Sequence, residues 1–253
     1  MPKPKQPTGE ELNQRLVEQY TEIARLAGSL AHEIKNPLSV IRMNMDLLAE
    51  DFSDAQTRRE RRALKKIDVV QSQCERLENL LDDFLVFSRV RKLNLRAANL
   101  NEQVERVLEF FAPQAEEAGI EIIRYFDPDL PSITLDSEML HSALLNLILN
   151  AAQAMSHGGN LWIRTRTTRS GVALDLIDTG CGMSQETALH MFEAFYSTKD
   201  GGSGLGLPTT KKIIEAHGGQ IAVQSERGRG TQVTLEFPVP ARLTTGEKTK
   251  RDE

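Results

Sequence analysis

Within the run SLAHEIKNPLSV, residues 29–40, a histidine, a carboxylate and a carboxamide follow one another at helical spacing. His32 is a nitrogen nucleophile, neutral in large part near physiological pH, and so a candidate acceptor of a phosphoryl group. Glu33 is its chain neighbour, but adjacent helix positions diverge by about 100°, so a contact between the two needs particular rotamers. Asn36 falls one turn further on, on the face of His32. Lys35 could steady an anion or merely solvate the helix, and solvation is the simpler reading. Pro37 has no N–H to offer the carbonyl of Glu33, which predicts a bend just past the histidine.

Three further stretches could bind what phosphorylates it. In DSEMLHSALLNLILNAAQAM, residues 136–155, Asn146 and Asn150 stack on one helix face and Gln153 continues it. Leucine and isoleucine surround them, so the helix reads as buried, and buried carboxamides need partners. A Mg²⁺ ion carrying nucleotide phosphates would serve, since magnesium favours hard oxygen ligands and retained water. Backbone groups could satisfy Asn146 instead, less readily the pair. DTGCGM, residues 178–183, sets Asp178 at a strand end, where it can accept a hydrogen bond from an exocyclic amine. Gly180 and Gly182 would let a base lie against the backbone, although many ordinary loops share this pattern. GGSGLGLP, residues 201–208, opens a helix, and Gly202, Gly204 and Gly206 let backbone amides converge on an anion. It matches neither GxxxxGK[ST] nor GxGxxG, and a hinge is the plain alternative.

Two regions of different grammar must position these residues. From 10 to 90 the chain reads as helix, with a stripe through Leu12, Leu16, Ile23, Leu26, Leu30 and Ile34. A sharper seam follows at Ala63, Ile67, Val70, Cys74, Leu77, Leu81, Phe84 and Ser88, alternating steps of four and three. DFSDAQT between them supplies a turn and helix-start residues Ser53, Asp54 and Thr57. An antiparallel hairpin with an uncovered seam predicts pairing of two copies into a four-helix bundle. From 96 to 240, strand-like runs at 120–126, 160–168, 172–178, 220–225 and 231–237 alternate with helices near 101–118, 136–155 and 206–217. The expected fold is multidomain, a helical hairpin followed by an α+β sandwich with an antiparallel-leaning mixed sheet. Residues 1–9 are expected to be flexible, and the polar stretch 241–253 a disordered tail.

Composition excludes several classes. A net charge of -5 argues against a nucleic-acid binder. Cys74 and Cys181 form no CxxC pair, which argues against zinc or a disulfide framework. No apolar run reaches the ~20 residues of a membrane helix, so a cytoplasmic protein, or the cytoplasmic part of a larger sensor, is expected. His141, His157 and His190 read as surface or turn residues, and His217 as a structural residue placed against a helix dipole.

In order along the chain, AHEIKNPL, NLILNA, DTGCGM, MFEAFYSTK and GGSGLGL resemble the H, N, G1, F and G2 boxes of sensor histidine kinases. The resemblance covers roughly residues 10–240. It implies a dimerisation and phosphotransfer hairpin over 10–92 and a Bergerat-type ATP-binding domain over 96–240. By this resemblance Asn150 would ligate Mg²⁺ with Asn146 assisting, and Asp178 would bind the adenine amine. Gly180 and Gly182 would shape the base pocket, and Gly202, Gly204, Leu205 and Gly206 would form the phosphate loop. Lys199 would point at the triphosphate, Phe192 and Phe195 would anchor the lid, and Thr231 would contact the base region through water. His32 would be the phosphoacceptor, Glu33 its base, and Asn36 the residue aligning a hydrolytic water. The implied cofactors are ATP and Mg²⁺. The implied partners are a second copy of the chain and the receiver domain of a response regulator. A nucleotide-regulated dimeric scaffold without autokinase activity is the alternative.

Overall fold

The computed structural model describes residues 31, 33–52, 54, 56–89, 93–199 and 202–239 of the chain, with backbone only from 86 to 89. His32, the stripe from Leu12 to Leu30, Ser53, Gly201 and both chain ends therefore lie outside the described residues. The described part divides into two compact units. One combines the residues before Leu93 with His190–Lys212, and the other combines Leu93–Leu189 with the residues from Ile213 onward.

In the first unit, α1 (33–51) stays helical through Pro37. A capping box starts α2 (Arg58–Arg89). The Glu60 N–H donates to Thr57 Oγ1 at 3.2 Å, and the Thr57 N–H donates back to Glu60 Oε2 at 2.8 Å. The two helices run antiparallel, as their cross-helix pairs show. Lys35 pairs with Asp82, Arg42 meets Glu78 at 3.0 Å, and Gln71 donates to Asp46 at 2.6 Å. Lys35 is thus engaged by the neighbouring helix. Ala31, Leu38, Ile67, Cys74 and Leu85 are buried, and Cys74 is core as its seam position predicts. Val70 and Leu77, from the same seam, remain exposed, as do Ile34, Ile41 and Leu48.

The second unit is a two-layer sandwich. Its elements are β1 (Arg96–Ala98), α3 (Leu100–Glu117), β2 (Ile120–Tyr125), β3 (Ile133–Leu135), α4 (Ser137–Ala154), β4 (Gly159–Thr167) and β5 (Gly171–Asp178). Then come α5 (Gln185–His190), α6 (Gly206–Ala216), β6 (Gln220–Glu226) and β7 (Gly230–Pro238), with α5 and α6 each spanning the division between units. The main sheet has the order β2-β4-β5-β7-β6, parallel only between β2 and β4. β1 and β3 form a separate antiparallel pair.

One sheet face carries Leu161, Ile163, Leu174, Leu176, Leu235 and Phe237, all buried. α3 and α4 supply further core through Val104, Val107, Leu108, Phe111, Leu140, Leu144 and Ile148. Both helices start on side-chain caps. Asn99 accepts from the Asn101 N–H, and Asp136 accepts from those of Glu138 and Met139. His217 bonds to the same corner: its Nε2 accepts from the Asp136 N–H at 2.9 Å, and its Nδ1 donates to the Ile213 carbonyl at 2.7 Å. This tautomer makes His217 a hydrogen-bonded brace at the end of α6, the structural role its position predicts.

Candidate nucleotide site

Asp178 closes β5 on the helix-covered face, paired across the sheet with Leu161 on one side and Thr231 on the other. It is buried, and one carboxylate oxygen accepts the N–H groups of Gly180 at 2.8 Å and Thr231 at 3.2 Å. Burial pushes its pKa above the ordinary carboxylate value, and these two backbone bonds oppose the shift only in part. A buried strand-end carboxylate raised in this way is a candidate functional group.

The turn after Asp178 packs on the end of α4. The Cys181 N–H donates to the Ala154 carbonyl at 2.9 Å, and a Cβ on Gly180 would stand 2.7 Å from that of Ala154. Gly182 has φ +61°, and a Cβ there would come within 2.1 Å of the Glu226 carbonyl oxygen. Both glycines are therefore demanded by close packing of one segment of the chain on another, a stronger constraint than room for a base. One turn before Ala154 stands Asn150, half-buried, whose amide donates to Asn146 Oδ1 at 3.3 Å. Asn146 and Asn150 thus act as a linked pair on the helix that carries the Asp178 turn. An oxygen-bearing carboxamide pair suits a hard cation, so its donor chemistry fits magnesium.

A serine absent from the sequence expectations joins this group. Ser225 pairs with Thr231 across β6 and β7, and Thr231 pairs with Asp178, so the three lie in one row. Ser225 Oγ accepts from the Met183 N–H at 2.9 Å, donates to the Gly230 carbonyl at 3.0 Å and lies 2.9 Å from Thr231 Oγ1. In sequence Ser225 is one polar residue in an alternating strand; only the cross-strand register gives it meaning.

The remaining expected site residues belong to the first unit. Glu33 and Asn36 are exposed on α1. Lys199 and Gly202 are exposed, and the Gly202 N–H donates to the Lys199 carbonyl at 3.3 Å. Gly204, at φ +67°, lies against Phe195, and the Phe195 N–H donates to its carbonyl at 3.0 Å. Phe195 is itself at φ +68° with a side chain 66% exposed, so its backbone anchors this loop and its ring does not. Phe192 is half-buried, with Lys211 Nζ 5.3 Å from its ring centroid. Leu205 is fully buried, and Gly206 begins α6.

A mixed sheet roofed by two helices thus sets a buried strand-end aspartate beside a helix that bears paired asparagines. Residues 135–241 match the family described as histidine kinase-, DNA gyrase B- and HSP90-like ATPase, and residues 22–93 match the His Kinase A (phospho-acceptor) domain. The chain belongs to the sensor histidine kinases. It is 32% identical over 223 residues to the signal transduction histidine-protein kinase AtoS of Escherichia coli K12, covering 88% of this chain and 36% of AtoS. With sporulation kinase C of Bacillus subtilis 168 it shares 28% identity over 233 residues, 90% of this chain and 53% of that kinase. The chain thus spans between about a third and a half of the length of these relatives. Full-length ShkA, crystallised with AMPPNP, aligns at TM-score 0.66 and 28% identity, covering 85% of this chain and 45% of ShkA. The catalytic domain of histidine kinase ThkA aligns at TM-score 0.53 and 28% identity, covering 58% of this chain and 96% of that domain. Among the described residues, no helix is long and apolar enough to cross a membrane.

Proposed function

We propose that this chain is the kinase part of a two-component system, an ATP-dependent protein-histidine kinase that phosphorylates itself on His32. A nitrogen of His32 attacks the γ-phosphorus of ATP. The bond from that phosphorus to the β,γ-bridging oxygen breaks, ADP leaves, and Glu33 takes the proton displaced from the imidazole. The phosphoryl group then passes to an aspartate on the receiver domain of a response regulator. Asn36, exposed on α1, aligns water for removal of that phosphate.

One observation carries the reading: a single chain joins a phosphoacceptor domain over 22–93 to an ATPase domain over 135–241. At residue level it is supported by the Asp178 carboxylate, raised in pKa by burial, beside the turn fixed to the Asn146–Asn150 helix. Asp178 receives the adenine amine, and Lys199 with Gly202, Gly204, Leu205 and Gly206 holds the phosphates. Asn150, assisted by Asn146, would hold Mg²⁺, which neutralises phosphate charge when bound. We place the phosphotransfer hairpin at 10–92 and the catalytic domain at 96–240. A reaction fed by ATP assigns the chain to the cytoplasm.

Two copies pair through the hairpin. The exposed residues Ile34, Ile41 and Leu48 repeat at sevens along α1, and Val70 and Leu77 do so along α2. Such rows are what an intermolecular helical seam needs covered. Incubation with γ-labelled ATP and Mg²⁺ tests the enzyme reading. Wild type acquires an acid-labile, base-stable label and Asn150→Ala does not. Equal labelling of the two proteins would refute the assignment of Asn150.

A further inference from the structure

The hydrogen bonds of Ser225 fix a polarity beside Asp178. A hydroxyl has one hydrogen to give, and a carbonyl can only accept. Ser225 lies 3.0 Å from the Gly230 carbonyl, so its hydrogen goes there. Its oxygen already accepts from the Met183 N–H at 2.9 Å. Donation from Thr231 to Ser225 across the 2.9 Å contact is then the one direction that satisfies every group in this network. Thr231 spends its hydrogen on this bond, and towards any other neighbour its hydroxyl is an acceptor. The in-register row Asp178–Thr231–Ser225 places that acceptor next to the Asp178 carboxylate, on the same sheet face.

We infer that Ser225 is a specificity-determining residue, orienting the Thr231 hydroxyl so that the base pocket selects a 6-aminopurine over a 6-oxopurine. Resting on the nucleotide-site reading above, this adds the residue that sets the discrimination. An exocyclic amine brings two N–H donors to a wall made of a carboxylate and an acceptor hydroxyl. A 6-oxo group brings lone pairs to the same wall and leaves buried acceptors facing one another, which is where polar sites discriminate most strongly. Without Ser225, the Thr231 hydroxyl is released to rotate and donate, and it can then meet a 6-oxo group. Ser225 touches neither base nor phosphate in this scheme; it acts through Thr231.

Affinities of ATP and GTP for the whole chain, wild type against Ser225→Ala, test this. The ratio of GTP to ATP dissociation constants should fall roughly tenfold in Ser225→Ala, the worth of one hydrogen bond. Ser225→Thr keeps the hydroxyl and should restore the wild-type ratio. Thr231→Val removes the acceptor itself and should lower the ratio similarly, and it decides the matter if Ser225→Ala does not fold. Equal weakening of both nucleotides in a folded Ser225→Ala would overturn the inference, leaving Ser225 as a brace of the turn. An unchanged ratio in Thr231→Val would overturn it as well. If wild type binds neither nucleotide, the broader nucleotide reading falls; if it binds ATP and only the ratio test fails, the role of Ser225 alone is lost.

Discussion

Asp178 and Thr231 are bound twice over: they are neighbours in the β5–β7 ladder, and the Thr231 N–H also donates to the Asp178 carboxylate at 3.2 Å. The β6–β7 hairpin thereby holds the group expected to read the base. Sequence separates the two by more than fifty positions, and no local pattern links them.

Asp178→Asn should separate binding from stability. The amide oxygen can keep both backbone bonds, but an NH₂ group replaces the acceptor facing the amine. Nucleotide affinity should fall about 10- to 100-fold, the range for a hydrogen bond to a charged group. A carboxyl raised in the folded state favours folding below its ordinary pKa, and that contribution is lost as pH rises through the folded value. The uncharged variant should therefore melt no lower than wild type near neutral pH in the absence of nucleotide. Thermal melts and titration calorimetry check both halves; a large drop in melting temperature would show that the charge supports the fold.

Gly182→Ala should destabilise the sandwich. The new Cβ meets the Glu226 carbonyl oxygen at 2.1 Å in a backbone held at φ +61°. Strain of this kind costs ~1–3 kcal/mol per residue, and the clash adds to it. Chemical denaturation should show the loss without nucleotide present, which distinguishes a packing requirement from a binding one.

Asp175 predicts an acid-sensitive component of stability. It is fully buried on the open sheet face, where Arg164 donates at 2.8 and 3.0 Å, Thr234 at 2.7 Å and Arg166 at 3.3 Å. Burial alone would raise its pKa, but the bonds from Thr234, Arg164 and Arg166 outweigh it and hold the carboxyl below its ordinary value. Such a group stabilises above the ordinary carboxylate pKa, and the benefit fades as pH falls through the lowered value. Asp175→Asn should cost about 1.5–3 kcal/mol near neutral pH, and the gap to wild type should narrow in acid. Denaturation across pH measures it.

Replacing Val70 and Leu77 with aspartate should dissociate the dimer while leaving the sandwich folded. Both side chains are exposed in the single chain, Leu77 at 48%, so the charges cost little there and repel at a paired seam. Sedimentation should give a monomer. A dimer that persisted would place the interface elsewhere.

Much of this architecture was legible because the patterns were long. The five main strands, the three longer helices of the sandwich and the hairpin seam follow from periodicity sustained over many residues. β1 and β3, three residues each, carry too little alternation to separate from loop, and α5 is a turn and a half of polar residues. Among site residues, Asp178 and the Asn146–Asn150 pair announce themselves by polarity in apolar surroundings. Ser225 does not, because its role depends on register between strands. The packing demands on Gly180, Gly182 and Gly204 were equally invisible, since each is set by backbone distant in sequence or across a turn.

The central claim is that His32 receives the γ-phosphoryl group of ATP bound by the same protein. Its most direct test compares wild type with His32→Gln, incubated with γ-labelled ATP and Mg²⁺ after both are shown to bind nucleotide equally. Acid-labile, base-stable label on wild type and none on His32→Gln is the predicted result. Equal label on the variant, or a nucleotide-bound wild type that acquires none, would contradict it.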